Sequence, residues 1–283
     1  MHTLPSHTIH AVVATALAED IGTGDLSTLG VIPASAQAQA QFVFREAGVV
    51  CGLPLVQAVF AAVDGALVVQ PLVAEGTPAA AGQAVATVAG PAQGLLMGER
   101  VALNLFQRLS GIATLAAQYV AAVADTGVHI LDTRKTTPGL RALEKYAVRV
   151  GGASNHRFGL YDGVMLKDNH LAILAAQGIG LSNAIQRARA AVGPMVRIEV
   201  EVENVAAAAE AAAAGADVIL LDNMHPDQLR AAVAAIAGRA RSEASGGITL
   251  ATIRAVAASG VDYISVGALT HSARALDIGL DTE

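Results

Sequence analysis

Hydrophobic and polar positions change rhythm several times along the chain. Ile9, Val12, Val13, Ala16 and Leu17 recur at helical spacing, which predicts an amphipathic helix over 6–19 capped by Ser6. It runs into EDIGTGD, where two glycines with Asp20 and Asp25 read as a plain loop more readily than as a metal or phosphate loop. Short valine-rich runs punctuated by Gly and Pro follow in 36–46 and 66–88, the pattern of antiparallel strands joined by tight turns. Residues 94–123 are strongly helical and carry Arg100 and Arg108 on roughly one face, where a solvated role and a functional one are evenly balanced. From Val128 onward six apolar runs each end in a polar or glycine-bearing turn: VHIL, GVML, VRIEVEV, DVILL, SEA and YISV. Helical, often alanine-rich stretches separate most of them. Repeated strand–helix units of this kind predict a parallel sheet, here an α/β barrel of six or seven strands, with a doubly wound sheet as the alternative.

Composition narrows the function classes. The 283 residues are 53% hydrophobic and only 15% charged, against a usual charged share of about 25%. So few solvating groups predict that some apolar surface is buried against another subunit, most simply in a symmetric homodimer. No run of apolar residues reaches the length a membrane span needs, and MHTLPSHTIH has no basic region followed by an apolar core. The single cysteine, Cys51, sits in VVCGLPLV and reads as a small buried hydrophobe, so a cytoplasmic location is the default. The net charge is −6 and the pI about 5.7, yet the positive charge is focused. Residues 130–170 hold all three lysines and four arginines, while outside them 20 acidic residues face 11 basic ones. A focused cluster in an acidic protein predicts a pocket for a small polyanion and argues against a nucleic-acid face.

The polar groups fall at strand ends. Arg134 and Lys135 follow VHIL directly, where a rigid element aims them; a structural salt bridge to Asp132 is the bland reading of these residues. Pro138 and Gly139 then lead into a helix over about 140–150, on which Glu144, Lys145 and Arg149 look like an ordinary solvated face. The loop GGASNHRFG delivers His156 and Arg157 together, and Lys167 closes GVML just before Asp168, Asn169 and His170. A Schiff-base role for Lys167 needs a desolvated amine. Glu199, Glu201 and Glu203 alternate along a strand, so they share one face, inward in a barrel if Ile198, Val200 and Val202 face the helices. With Asp222 at the end of the next strand they make an oxygen-ligand set for Mg2+ that also holds a substrate phosphate. Ser245, Gly246 and Gly247, then Gly267 and Ala268, each follow a strand and precede a helix, a phosphate-cradle arrangement.

Assembled, the segments AEDIGTGDLST, GERVALNLFQRLSGIAT, LDTRKTTPGLRALEKYAV, NHRFGLYDGVMLKDNH, EVEVEN, LLDNM, EASGGI and VDYISVGALTHS closely resemble the quinolinate phosphoribosyltransferase family nearly end to end. The resemblance implies a smaller N-terminal α/β sandwich domain over 1–112, joined by the tail 271–283, beside an incomplete barrel over 113–270. It implies transfer of phosphoribosyl from phosphoribosyl pyrophosphate to quinolinate, with decarboxylation, giving nicotinate mononucleotide, pyrophosphate and CO2 in NAD biosynthesis. Carried over residue by residue, it sets Arg134, His156 and Arg157 around the quinolinate carboxylates, with Arg100 reaching in from a neighbouring subunit. Lys135 and Lys167 line the site between quinolinate and ribose. Glu201 and Asp222 serve the ribose and Mg2+, and Ser245, Gly246, Gly247, Gly267 and His271 the 5′-phosphate. Lys135, Lys167, Glu201 and Asp222 are the implied catalytic residues; Arg108 and Glu199 stay structural. One departure is Ala153, where the family has a third glycine before NHR. A related molybdate-associated group, a Schiff-base aldolase centred on Lys167 and a non-enzymatic binding module are the competing readings.

Overall fold

The computed structural model describes residues 4–282. In chain order the elements begin with α1 (Ser6–Ile21), α2 (Leu26–Val31), β1 (Gln37–Phe44), β2 (Gly48–Val49), α3 (Leu53–Val63), β3 (Val68–Pro71), β4 (Pro78–Ala79), β5 (Ala84–Pro91) and the long α4 (Ala92–Ala122). They continue with β6 (His129–Leu131), α5 (Arg141–Val150), β7 (Val164–Leu166), α6 (Asp168–Ala175), α7 (Leu181–Ala191), β8 (Ile198–Val202), α8 (Val205–Ala213) and β9 (Val218–Asp222). Last come α9 (Pro226–Ile236), β10 (Arg241–Ser245), α10 (Ile253–Ala257), β11 (Tyr263–Ser265), α11 (Ala268–His271) and β12 (Ile278–Thr282).

The chain forms two compact units. The first takes the residues up to Ala117, Thr136–Gly152 and those from Ala268 on; the second takes Gln118–Lys135 and Ala153–Gly267. α4 runs unbroken through residue 112, and the segment around α5 belongs with the first unit.

In the first unit an antiparallel sheet of order β12-β1-β5-β3 is joined by the short pair β2-β4. Its core is aromatic: Phe42, Phe44, Phe60 and Phe106, four of the five phenylalanines, are fully buried. Phe106 meets Phe42 and Phe44 edge to face, each at 5.8 Å between ring centroids, contacts worth about 0.5–1.5 kcal/mol apiece beyond burial. The EDIGTGD turn is a capping device. Asp25 accepts from the backbone N–H groups of Ser27 and Thr28 and starts α2. Ser6 is the first helical residue of α1, and Pro5 occupies the cap position without a side-chain bond.

Helix α5 overturns one reading of the sequence. Glu144 and Lys145 are buried, at 0% and 2% exposure, so two of the three residues taken as a solvated face are interior, while Arg149 is exposed. Glu144 accepts from Arg108 Nη2 at 2.7 Å and Nε at 3.2 Å, and from the Thr137 hydroxyl and backbone N–H at 2.8 and 3.1 Å. Arg108 also donates to the carbonyls of Thr270 and Ala273. An ion pair buried this way needs its remaining hydrogen-bonding capacity filled, and here it is. After α5, Gly151 lies so close to α4 that a Cβ would stand 2.3 Å from the Ala113 carbonyl oxygen.

The second unit carries one six-stranded sheet of order β6-β11-β10-β9-β8-β7, parallel at every pairing, and its strands coincide with the six apolar runs. Ile198, Val200 and Val202 are buried on one face of β8, which turns Glu199 and Glu201 to the other; Glu203 lies past the strand end and is exposed. β6 and β7 end the order, so the barrel is incomplete. A single parallel bridge between Leu131 and Ser154 extends β6 on its outer side.

Candidate active site

The loop that carries His156 and Arg157 is moored to the end of β6 by a buried carboxylate. Asp132 is 0% exposed and accepts from Asn155 Nδ2 at 2.6 Å and from the His156 backbone N–H at 2.8 Å. Asp132 thus fixes the course of the loop on which both site residues stand. Ala153 does not have a positive φ, so alanine stands there without strain, whereas Gly152, at φ 90°, needs to be glycine.

A cavity of about 690 Å3 opens at the carboxyl ends of the strands in the second unit. It brings together Arg134 and Lys135 after β6, His156 and Arg157 from the loop, Lys167 after β7, Glu201 of β8, Asp222 ending β9, and Ser245, Gly246 and Gly247 at the end of β10. Every site residue expected within this unit lines it except Gly267, which follows β11 by two residues. Arg100, exposed on α4, and His271, at the end of α11, belong to the first unit.

The ten residues are not an undifferentiated cluster. Arg157 is braced, with Nη1 donating to the Gly163 carbonyl at 3.0 Å and Nη2 against Met165 Sδ at 3.4 Å. Burial, and then the nearby Arg134 guanidinium, lower its pKa; two guanidiniums side by side in a half-buried pocket favour an anion between them. Lys167 Nζ lies 2.9 Å from Glu201 Oε2, with the lysine side chain 46% exposed. That is not the desolvated amine a Schiff base requires. Asp222 is pushed above the usual carboxylate range by burial and then by the charge of Glu201, against the opposing pull of Lys167; Asn223 Nδ2 donates to it at 2.6 Å.

The glycine turn after β10 differs from expectation in one respect. Gly246 and Gly247 have φ of 103° and 60°, which frees their backbone to face the cavity, but α10 begins only at Ile253. A cradle here therefore rests on turn N–H groups alone. A Cβ on Gly246 would fall 2.1 Å from Asn223 Oδ1, so the turn is locked against the end of β9.

Glu243 was missed from the sequence. It sits two residues before Ser245 on β10, so strand alternation aims both inward. Glu199, taken as structural, joins it: His156 Nε2 is 2.9 Å from Glu199 Oε2 and 3.6 Å from Glu243 Oε2. Their ligand atoms lie within 4.8 Å of one another, a grouping that could hold a metal ion, but the 2.9 Å contact is that of a hydrogen bond. Glu243 is pushed up to about 7 by burial and then by Glu199, with His156 opposing.

Comparison with known proteins agrees with this geometry. The profile of the quinolinate phosphoribosyl transferase N-terminal domain matches residues 25–110, and that of the C-terminal domain matches residues 112–281. The probable carboxylating nicotinate-nucleotide pyrophosphorylase of Bacillus subtilis is 47% identical over 265 residues, covering 93% of this chain and 89% of its own. The crystal structure of NadC from Streptococcus pyogenes is 45% identical, superposes with a TM-score of 0.94 and covers 100% of both chains. That of the nicotinate-nucleotide pyrophosphorylase from Francisella tularensis is 34% identical with the same TM-score, covering 99% of this chain and 98% of its own. Matched through both its domains and over nearly its whole length, the chain belongs to the quinolinate phosphoribosyltransferase family.

Proposed function

We propose that the protein transfers the phosphoribosyl group of phosphoribosyl pyrophosphate to the ring nitrogen of quinolinate and that the 2-carboxylate then leaves as CO2, its bonding pair on C2 taking up a proton from water, to give nicotinate mononucleotide and pyrophosphate for NAD biosynthesis. The observation that carries the reading is one cavity at the carboxyl ends of the strands that gathers two arginines, two lysines, two histidines, three carboxylates and a glycine turn. Both substrates are polyanions, and the cavity draws on the segment where the basic charge of an acidic chain is concentrated.

In this reading Arg134, His156 and Arg157 take the two carboxylates of quinolinate, and Lys135 and Lys167 lie between the pyridine and the ribose. The pyridine nitrogen attacks the anomeric carbon as the bond to pyrophosphate breaks, and the ribose passes through oxocarbenium character. No protein nucleophile is needed. The chain acts by holding the two reactants in line and by fixing cations around the charge that separates. Glu201 and Asp222 lie beneath the ribose, and Ser245, Gly246, Gly247 and Gly267 take the 5′-phosphate.

Glu201 and Asp222 suit Mg2+: each is a hard oxygen donor, and Asp222 carries a raised pKa partly because Glu201 is near, an imbalance that a divalent cation relieves. Held there together with the substrate, Mg2+ would supply positive charge against the departing pyrophosphate. The assembly in this reading is a cytoplasmic homodimer or larger homo-oligomer in which exposed Arg100 reaches the partner's quinolinate site. The test is formation of nicotinate mononucleotide from quinolinate, phosphoribosyl pyrophosphate and Mg2+, with nicotinate as the control substrate. Product from quinolinate alone supports the reading; no product from a folded protein refutes it. A monomer by sedimentation at micromolar concentration would sink the shared-site assembly.

A further inference from the structure

Beneath the proposed quinolinate pocket lies a charge imbalance that phosphoribosyl transfer does not explain. Glu199 and Glu243, 5% and 1% exposed, turn one oxygen each toward the same imidazole nitrogen. The other nitrogen, Nδ1 of His156, accepts the Arg157 backbone N–H at 2.7 Å, so Nε2 is the nitrogen that donates toward the carboxylates. One N–H serves one carboxylate. Glu199 takes it at 2.9 Å, and Glu243 is left at 3.6 Å, beyond a good hydrogen bond.

The surroundings of Glu243 offer little else. On β9 its register neighbour is Leu220 and on β11 it is Tyr263, and the Ser265 hydroxyl on β11 is the polar group that, with His156, opposes the rise in its pKa. Glu199 faces it from β8, and His156 and Arg157 from the loop. The cavity above adds Arg134, Lys135 and Lys167 against Glu201 and Asp222. Glu243 and His156 also line a second cavity, of about 590 Å3, at the amino ends of the strands. Glu243 therefore borders both the substrate cavity and a space at the opposite, amino end of the strands.

We propose that Glu243 is a charge-balancing residue of the substrate pocket, taking up a proton through the amino-end cavity when a dianionic pyridine dicarboxylate binds above it. The inference rests on the reading of this pocket as a quinolinate site. Arrival of two negative charges over an interior that already holds a carboxylate pair favours the neutral acid, and a proton held near neutrality supplies it at little cost.

The test is calorimetric titration of the wild-type protein with quinolinate at pH 8 in two buffers of different ionisation enthalpy. The heats should differ by the equivalent of about one proton taken up per site, fading below pH 6 as Glu243 becomes protonated beforehand. In Glu243→Gln the buffer dependence should vanish, and binding should lose its fall between pH 6 and 8.5. A merely structural role would weaken binding at every pH and leave the proton uptake in place. Should that variant fail to fold, an infrared difference spectrum of wild-type protein labelled with 13C-glutamate decides the matter by whether a protonated-carboxyl band appears on binding. Equal heats in both buffers, proton uptake retained by Glu243→Gln, or no labelled band overturns the inference alone. No binding and no product overturns the quinolinate reading as well.

Discussion

Glu144→Ala tests whether the interior of α5 is held by charge or only by packing. The substitution deletes the acceptor of four hydrogen bonds, two from Arg108 and two from Thr137, at a position with no exposure. Removing one partner of a buried pair costs about 3–5 kcal/mol, because the other charge stays behind unpaired. Arg108 moderates this: its side chain is 26% exposed and it keeps the carbonyls of Thr270 and Ala273. We therefore expect the lower end, about 3 kcal/mol, which for a chain of this size lowers Tm by roughly 6–10 °C. Urea unfolding followed by far-UV circular dichroism reads the free energy. Arg108→Met and the double variant complete a cycle, in which the double variant should be less destabilised than the sum of the singles by about 1–3 kcal/mol. A loss below about 1 kcal/mol for Glu144→Ala, or strict additivity, would show that the carboxylate is incidental and refute the argument.

Three further outcomes follow from the structure. Gly151→Ala should cost at least about 2 kcal/mol by denaturant titration, since the clashing Ala113 oxygen is backbone and cannot swing aside. Glu243 has a folded-state pKa near 7 against an ordinary 4.5. Its contribution to stability is therefore present in acid and lost as pH rises from about 4.5 through 7, to a total of about 3 kcal/mol. Glu243→Gln should then melt close to wild type at pH 5 and well above it at pH 8; a constant offset across that range contradicts the assignment. Lys135→Ala and Lys167→Ala should each reduce turnover by orders of magnitude with unchanged circular dichroism, and near-normal rates in both would remove the lysines from the proposed chemistry.

The barrel was legible because its strands are short, apolar and closed by polar turns, and all six runs became strands. The site was legible for the same reason: Arg134, Lys135, Lys167, Asp222 and Ser245 are marked by standing at or just past a strand end. What escaped notice lacked a periodic signal. α3, LPLVQAVFAAV, is apolar almost all round, with Leu53, Leu55, Val56, Val59 and Phe60 buried, so no amphipathic stripe distinguishes it. Glu144 and Lys145 obey the helical pattern of a surface, and only the three-dimensional arrival of Arg108 shows one of them to be paired inside. Glu243 was hidden in the shortest apolar run, SEA, although counting back by two from Ser245 would have found it.

The single bridge between Leu131 and Ser154 has a consequence for solubility and for evolution. An incomplete barrel leaves β6 with a row of unpaired backbone groups, the kind of border onto which another extended chain can add itself. Here that border is partly occupied from within: Ser154 pairs with Leu131, the Asp132 N–H reaches the Ser154 carbonyl at 3.1 Å, and the Asp132 side chain secures the next two residues. The segment that presents His156 and Arg157 is thus also a guard rail against edge-to-edge association. A lineage that lost the chemistry would still have reason to retain Asp132 and the Ser154–Asn155 backbone, and changes there should appear first as aggregation on expression.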